Sequence, residues 1–341
     1  MIDDIPTKDA IFASKCACLW GTQMDDGVNA YTKFKIQRLA PYLGARISGL
    51  DLTELLEQET VKELIRAHAE YGVLVFPDQK ISSEDLKRFG GYWGDLSVHP
   101  FSTNAADAPE LIVYDNREGN PAHSTDIWHT DETFRECPAK ATFLSCKIIP
   151  EYGGDTAFAN MAAIYEGLSD KMQNFISGLE AVHDFKNFRE RFGNSPEDRE
   201  KLQYYEREYP NPVHPVVTEH PVTKRKVLFV NPQFTIKIKD MDPDESDTIL
   251  RLLFRKVYQH EYQYRHHWET NMVVSWDNRL VQHSALHDYY PNRRKMERVT
   301  VAGERPIPAF PVAPVETIRR DIMPPIWQVS GNRPRYQHEK K

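Results

Sequence analysis

The chain has 341 residues, of which 40% are hydrophobic and 27% are charged, as expected for a globular protein with one large domain or two ordinary ones. The net charge of −7 and the absence of a long basic run argue against nucleic acid as a partner. No apolar run approaches the ~20 residues of a membrane span. The segment "MIDDIPTKDAIFASK" also lacks the features of a secretory signal, so we expect a cytoplasmic protein with no membrane partner.

The first half of the chain alternates predicted strands with a few helices. Residues 1–31 show little periodicity and are expected to form an N-terminal extension. Helical spacing over 60–72 ends at Gly72, and a second helix is expected to start at Ser82 and Ser83, ahead of two acidic residues. The strand candidates are "FKIQRL", "ARISGLDL", "VLVF" (73–76), "LIVY" (111–114), "ATFLSCKII" (141–149) and "TAFAN" (156–160).

The second half contains the clearest helix and one unusual segment. A helix is expected over 167–179, closed by Gly178, and the clearest helix over 242–261, with acidic residues in front. Residues 186–212 are polar, charged and aromatic, and we interpret them as a mobile or lid-like insertion. Further strands are expected at "VLFV" (227–230), "NMVVSWD", "LVQHSAL" and "RVTVAG".

Many short strands separated by turns predict a mainly β fold rather than the regular alternation of a doubly wound sheet. The "GGDT" at 153–156 is a double-glycine turn and not a nucleotide-binding G-x-G-x-x-G, and no G-x-S-x-G nucleophile elbow is present. We therefore expect an α+β fold with a jelly-roll core and outer helices, in one domain over 32–310 followed by a C-terminal tail at 311–341.

The stretch "WHTDETF" places His129 and Asp131 two residues apart, so that on a strand both side chains would point to one face. Such a pair indicates a metal site or an acid–base pair, although a solvated strand face is an alternative. Among the other histidines, His283 lies in a strand-like run after "WDN" and His287 lies four residues further on, whereas His266 and His267 lie in the polar stretch "RHHWE" and His99 lies in a turn. Two histidines and one carboxylate with open positions suit Fe(II), and zinc also accepts this set.

Several motifs, in their order and spacing, resemble the taurine dioxygenase (TauD/TfdA) family. They are "WHTDETF", "GGDT", "HDF" (183–185), "LFVN" (228–231) and "WDNRLVQH" followed by "PNRRKMERVT". The resemblance covers about residues 34–305 and implies a double-stranded β-helix, which is a jelly-roll, cupin-like core. It also implies an Fe(II)- and 2-oxoglutarate-dependent oxygenase that uses O2, oxidises a C–H bond and releases succinate and CO2.

The resemblance implies roles for individual residues of the cofactor site. Iron would be held by His129, Asp131 and His283, with His287 as the alternative third ligand. The cosubstrate 2-oxoglutarate would be bound by Thr156, Arg294 and Arg298. Arginine is the best bidentate partner of a carboxylate in a dry pocket. Arg293, next to Arg294, would point to the opposite face of a strand and is expected to be a surface arginine.

The substrate pocket is where the sequence departs from the family pattern. His99 and Phe234 match substrate-contacting positions, whereas Ser102, Thr125 and Arg189 replace a tyrosine, an asparagine and an aromatic residue. Together with Arg298, these positions favour a small anionic organic substrate: a sulfonate, a sulfate ester or a carboxylate. We expect hydroxylation, and desaturation, cyclisation or C–N or C–O cleavage remain alternatives.

Two other classes are compatible with the same ligand set. A zinc hydrolase would need a nearby base, for which Glu132 is the obvious candidate, although on a strand it would point away from Asp131. A non-catalytic jelly-roll binding protein is the second alternative, and the intact ligand set and Arg294 count against it. The sequence leaves a homo-oligomer open.

Overall fold

The computed structural model describes residues 31–102, 104–117, 126–189 and 192–311. The predicted N-terminal extension and C-terminal tail lie outside the described residues, apart from Tyr31 and Pro311. The hydroxyl of Tyr31 donates to Glu70 Oε2 at 2.7 Å, so the chain is fixed from the first described residue.

Short strands dominate the described part of the chain. They are β1 (Lys35–Arg38), β2 (Ala45–Ser48), β3 (Val73–Phe76), β4 (Ile112–Asp115), β5 (Ala141–Ile148), β6 (Thr156–Asn160), β7 (Glu180–His183), β8 (Val213–Pro215), β9 (Val217–Glu219), β10 (Lys226–Leu228), β11 (Thr235–Ile238), β12 (Gln263–His266), β13 (Val273–Asp277), β14 (Val281–Ala285) and β15 (Lys295–Val301).

The helices lie between these strands. They are α1 (Gln58–Tyr71), α2 (Ser83–Gly91), α3 (Met161–Glu166), α4 (Asp170–Ile176), α5 (Lys186–Arg189), α6 (Pro196–Glu208) and α7 (Pro243–Arg255), with 3-10 turns at Lys256–Tyr258 and His260–Tyr262. The start of α2 has the expected chemistry, because Ser82 and Asp85 form a reciprocal capping box.

A seven-stranded sheet with the order β1-β2-β3-β13-β5-β15-β4 forms the larger layer of the fold. Its central strand β13 shows why both faces are buried. Val274 belongs to the core that this sheet shares with β6 and β14, whereas the neighbouring Val273 belongs to the core under α1 and α2. Successive side chains of a strand point to opposite faces, so two cores cover the two sides of one sheet.

Smaller sheets complete the jelly roll. One has the order β12-β6-β14, another β11-β7-β8, and β9 pairs with β10. Phe158 of β6 packs with Trp276 of β13 at a ring-centroid distance of 5.5 Å, and this contact joins the two layers. Phe158 also lies opposite His283 in the pairing of β6 with β14. The expectation of a mainly β, jelly-roll fold with outer helices is confirmed.

Helix α3 was missed by the sequence reading, and α4 is shorter than the helix expected over 167–179. All of Met161–Tyr165 is buried, so α3 has no polar face to produce an amphipathic pattern. Its start is fixed by Asn160, whose side chain accepts from the backbone N–H groups of Ala162 and Ala163.

The insertion (residues 186–212) contains the short helix α5 and the helix α6. No residue of α6 is fully buried. Its Leu202 and Tyr205 nevertheless pack against an aromatic cluster formed by Phe101, Phe134, Phe185 and Phe234. The aromatic residues of the insertion therefore act as anchors, and movement of this segment stays a prediction.

No helix within the described ranges is long and apolar enough to cross a membrane.

Burial of His68 makes the stability of the fold dependent on pH. His68 lies on α1 and is fully buried, with its ring 5.6 Å from that of Trp93. Desolvation by burial lowers the pKa of His68 to about 4. The unfolded chain therefore binds a proton as the pH falls below ~6.5, before the folded chain does. This contribution to stability is complete above that pH and is lost towards pH ~4.

We expect His68→Leu to remove this pH dependence. Between about pH 7.5 and about pH 5, the wild type should lose about 2 kcal/mol more of its free energy of unfolding than the variant. Urea unfolding of both proteins at the two pH values measures the difference. Equal losses in the two proteins would show that His68 is not the responsible group.

Candidate functional site

His129, Asp131 and His283 converge on one point inside the jelly roll. His129 and His283 form an isolated antiparallel bridge, with backbone N–H to O distances of 3.0 and 2.8 Å. Asp131 Oδ1 lies 3.7 Å from His129 Nε2 and 3.8 Å from His283 Nε2. All three residues are buried, and their ligand atoms lie within 4.8 Å of one another. In the part of the chain that is described, this metal-capable group does not include His287.

The local backbone differs from the strand expected for "WHTDETF". Only His129 pairs as in a strand, and Asp131–Phe134 form a turn. Glu132 has a φ of 55°, a left-handed conformation that costs energy for a residue with a side chain. Its Oε2 is 2.7 Å from Arg135 Nε, so this buried carboxylate, the base needed by a zinc hydrolase, is already paired.

The two oxygens of Asp131 have different surroundings. Oδ2 accepts hydrogen bonds from Thr142 Oγ1 at 2.7 Å and from Trp276 Nε1 at 3.2 Å. The amide of Asn278 donates to Thr142 Oγ1 at 2.9 Å and fixes that hydroxyl in turn. One oxygen is therefore anchored to the large sheet while Oδ1 faces the two histidines.

The histidines are held in the protonation state that a metal requires. His129 Nδ1 lies 2.7 Å from Ile127 O, so it donates there and leaves Nε2 as an acceptor. Desolvation by burial lowers the pKa of both His129 and His283. Burial would raise the pKa of Asp131, but the charge of Arg298 and the hydrogen bond from Thr142 hold it well below its usual value.

This donor set fits a divalent metal. At neutral pH it offers two neutral imidazoles and one ionised carboxylate, which is the facial set typical of non-haem Fe(II) oxygenases. Within the described residues, His283 Nδ1 is buried without a hydrogen-bond partner. The three residues that the motifs predicted are thus brought together by the fold. His129 and Asp131 come from the bridge and the turn that follows it, and His283 comes from β14.

Arg294 is a buried cation near this group. Its side chain stacks on Tyr289, with Cζ 5.6 Å from the ring centroid, and its Nε has no hydrogen-bond partner among the described residues. Desolvation by burial lowers the pKa of Arg294. By contrast, Arg293 Nη2 pairs with Asp115 at 2.7 Å, as expected for the arginine on the opposite face.

The "GGDT" turn places a glycine beside Arg294 and a buried hydroxyl two residues further along the chain. Gly154 has a φ of 77°, and a Cβ at this position would lie 3.2 Å from both Cδ and Nε of Arg294. Thr156 is buried, and its Oγ1 accepts from Trp268 Nε1 at 3.0 Å. The hydroxyl proton of Thr156 must therefore point to another acceptor.

Arg298 connects this region to the metal-capable group. Its Nη2 lies 2.8 Å from Asp131 Oδ1, and its Nε donates to Thr300 Oγ1 at 3.2 Å. Arg298 lies on β15, and Arg294 is the residue immediately before this strand. The two are four residues apart, so their side chains share one face of the sheet.

An aromatic wall closes the other side of the histidines. The ring of Phe234 lies 6.2 Å from that of His129 and 5.4 Å from that of Phe134. The ring of His99 lies 6.1 Å from that of Phe134, and His99 Nδ1 lies 2.9 Å from Ser102 Oγ. The structure thus groups the predicted substrate positions 99, 102 and 234 on one wall.

Two further substrate positions, Thr125 and Arg189, were predicted from the sequence. Thr125 lies outside the described residues. Arg189 makes an ion pair with Asp184 at 3.0 Å and another with Glu206 of α6, and its guanidinium lies 4.4 Å from the ring centroid of Phe185. Its charge is already matched by these two carboxylates, and its role in substrate binding stays a prediction.

The sequence reading missed the residues that hold the metal-site turn in place. Thr142 and Trp276 hold Asp131 by hydrogen bonds. Thr133, in the same turn, is held by His183 and Asn231, because its Oγ1 lies 3.0 Å from His183 Nδ1 and 3.0 Å from Asn231 Nδ2. The motifs "HDF" and "LFVN" contained His183 and Asn231 as a signal, but their common partner is visible only in three dimensions.

Comparisons with known proteins agree with this geometry. A family model described as "Taurine catabolism dioxygenase TauD, TfdA family" matches residues 35–300. The alpha-ketoglutarate-dependent sulfonate dioxygenase of Saccharomyces cerevisiae is 34% identical over 289 residues, which cover 81% of this chain and 68% of that protein. The alkylsulfatase of Acinetobacter baylyi is 33% identical, with 86% of this chain and 93% of that protein covered.

A solved structure shows the same fold. The crystal structure of AAD-2 in complex with Mn(II) and N-oxalylglycine has a TM-score of 0.68 and 30% sequence identity, and the match covers 81% of this chain and 99% of that one. The family model spans the whole jelly roll, including the metal-capable group and both buried arginines. The chain therefore belongs to the TauD/TfdA family and is an Fe(II)- and 2-oxoglutarate-dependent dioxygenase.

Proposed function

We propose that this dioxygenase hydroxylates a C–H bond of a small anionic organic substrate, a sulfonate, a sulfate ester or a carboxylate. The observation that carries the proposal is the pair of buried arginines on one face, one of which contacts the metal-capable carboxylate. Two anions, the cosubstrate and the prime substrate, must be held near the same metal, and two buried cations meet that need.

His129, Asp131 and His283 are the proposed Fe(II) ligands. The bound iron supplies the oxidation of the substrate C–H bond by O2, coupled to conversion of 2-oxoglutarate into succinate and CO2. The chain contributes a carboxylate fixed through Oδ2, two neutral imidazoles and a closed aromatic wall that excludes water.

Arg294 and Thr156 are the proposed partners of the distal carboxylate of 2-oxoglutarate. The buried guanidinium lacks a carboxylate partner among the described residues, and the Thr156 hydroxyl has one proton to donate. Arg298 lies at the metal end of this cradle, so we place there the metal-bound end of the cosubstrate and the acidic group of the prime substrate.

The aromatic wall gives the prime substrate its second feature. The wall consists mainly of aromatic rings, with Phe234 next to His129 and Phe134 next to Phe234, so the body of the substrate next to its acid should be apolar. The names of the two relatives, a sulfonate dioxygenase and an alkylsulfatase, are consistent with such molecules. The roles of Ser102, Thr125 and Arg189, the cytoplasmic location and the homo-oligomer stay predictions.

The direct test is a panel of alkyl sulfonates, alkyl sulfates and aryl carboxylates, with neutral alcohols of the same carbon skeleton as controls. We expect at least one anion to stimulate Fe(II)-dependent succinate release and to give a product heavier by one oxygen atom, or its breakdown products. Stimulation by the neutral controls at the same level would contradict the anionic substrate class.

For the metal site, we expect His129→Ala, Asp131→Ala and His283→Ala each to abolish iron-dependent succinate formation while the circular dichroism spectrum is retained. His287→Ala is the matched control, because His287 is outside the metal-capable group. Loss of activity in the control with activity retained in His283→Ala would transfer the ligand role to His287.

The anchoring of Asp131 should also matter. Thr142→Val removes the hydrogen bond to Asp131 Oδ2 while keeping the size of the side chain, and should weaken Mn(II) binding about 10- to 100-fold. Thr142→Ser keeps the hydroxyl and should bind Mn(II) nearly as the wild type does. Calorimetric titration of Mn(II) into the three proteins measures this, and equal affinities would mean that Thr142 does not position the ligand.

For the cosubstrate, Arg294→Ala should raise the Michaelis constant for 2-oxoglutarate by an amount equivalent to about 2–5 kcal/mol, since it leaves a buried carboxylate without its cation. Arg293→Ala is the matched control one residue away, whose partner is Asp115. Rates of succinate formation at varied 2-oxoglutarate concentrations give the Michaelis constants of the two variants. An unchanged constant in Arg294→Ala would remove Arg294 from the site.

A further inference from the structure

One face of the large sheet carries a tyrosine between the two buried arginines. In the pairing of β4 with β15, Tyr114 lies opposite Met296. Arg294 is two residues before Met296, and Arg298 is two residues after it, so all four side chains share this face. The pairing extends to Arg294, whose backbone N–H donates to Asn116 Oδ1 at 2.7 Å.

The nitrogens of the Arg298 guanidinium have separate neighbours. Nη2 lies 2.8 Å from Asp131 Oδ1, and Nε donates to Thr300 Oγ1 at 3.2 Å. Nη1 donates to the phenol oxygen of Tyr114 at 3.4 Å. Thr300 lies beyond Arg298 along β15, whereas Tyr114 lies on the side of Arg294. The guanidinium is thereby held from both directions along the strand.

We propose that Tyr114 is a positioning residue for the cosubstrate, an assignment that rests on the proposed function. Its hydroxyl holds the Nη1 edge of Arg298 towards Arg294, so that the two guanidiniums face one dicarboxylate. Without that contact, Arg298 keeps its neighbours at Asp131 and Thr300 but its fork loses the orientation towards the cosubstrate. Metal binding, which depends on Asp131 and the histidines, does not need Tyr114.

A purely structural role for Tyr114 would depend on its ring. The ring is partly buried and packs against the main core between the sheets. Tyr114→Phe retains the ring and removes only the hydroxyl, so it separates the two roles. Tyr165→Phe is the matched control, because Tyr165 is a buried tyrosine on α3 that is not near the arginines.

The experiment titrates 2-oxoglutarate, and separately its unreactive analogue N-oxalylglycine, into the Mn(II)-loaded proteins. In Tyr114→Phe we expect binding of both to weaken about tenfold, the typical worth of a hydrogen bond to a charged group. Mn(II) affinity and melting temperature should not change, and neither should any of these values in Tyr165→Phe. With Fe(II), the Michaelis constant for 2-oxoglutarate should rise while kcat stays within about twofold.

Unchanged binding of N-oxalylglycine in Tyr114→Phe, beside normal binding in the wild type, would overturn this inference alone. A parallel loss of Mn(II) affinity would also overturn it, since it would show that Tyr114 supports the metal site as a whole. Absence of both N-oxalylglycine binding and succinate formation in the wild type would refute the proposed function, and this inference with it.

Discussion

The metal-capable site depends on one buried carboxylate, that of Asp131, whose two oxygens have different partners. Asp131 Oδ2 is tied to Thr142 and Trp276, which belong to the large sheet, while Oδ1 faces two histidines and Arg298. A buried carboxylate is tolerated only when hydrogen bonds and a cation compensate for its lost hydration. The two core layers therefore have to meet in one register, because a shift of one residue would turn His283 and Arg298 away from Asp131.

The jelly roll meets this demand by using both faces of its large sheet. Helices α1 and α2 cover one face with a mostly apolar core, in which His68 is a buried exception, and the other face holds the polar groups of the site near Phe158 and Trp276. The insertion packs Leu202 and Tyr205 against the aromatic cluster from outside the sheets. His283 and Arg298 thus lie on strands, whereas the insertion, whose helix α6 has no fully buried residue, packs behind the aromatic cluster.

The sequence predicted the elements that have a period and the ligands that sit in a motif. The strands at 73–76 and 141–149, the start of helix α2 at Ser82 and Ser83, and the group of His129, Asp131 and His283 were all visible in this way. Helix α3 was not, because its five buried residues give no polar face. The turn at Asp131–Phe134 was predicted as a strand, because the contacts that hold it, such as those of Thr133 with His183 and Asn231, come from distant parts of the chain. Thr142, Thr133 and Tyr114 have common side chains in ordinary strands or turns, and only the three-dimensional register shows what they touch.

The isolated charge of Arg294 has a consequence for the evolution of the fold. Removing a guanidinium from water costs several kcal/mol, and within the described residues no carboxylate repays that cost by pairing with Arg294. In the proposed role of Arg294, the protein gives up thermal stability at this position in order to keep an anion site ready. An apolar residue of similar length, such as methionine, would then make the protein more stable but inactive, so selection for stability alone would remove the proposed cosubstrate site before it disturbed the barrel.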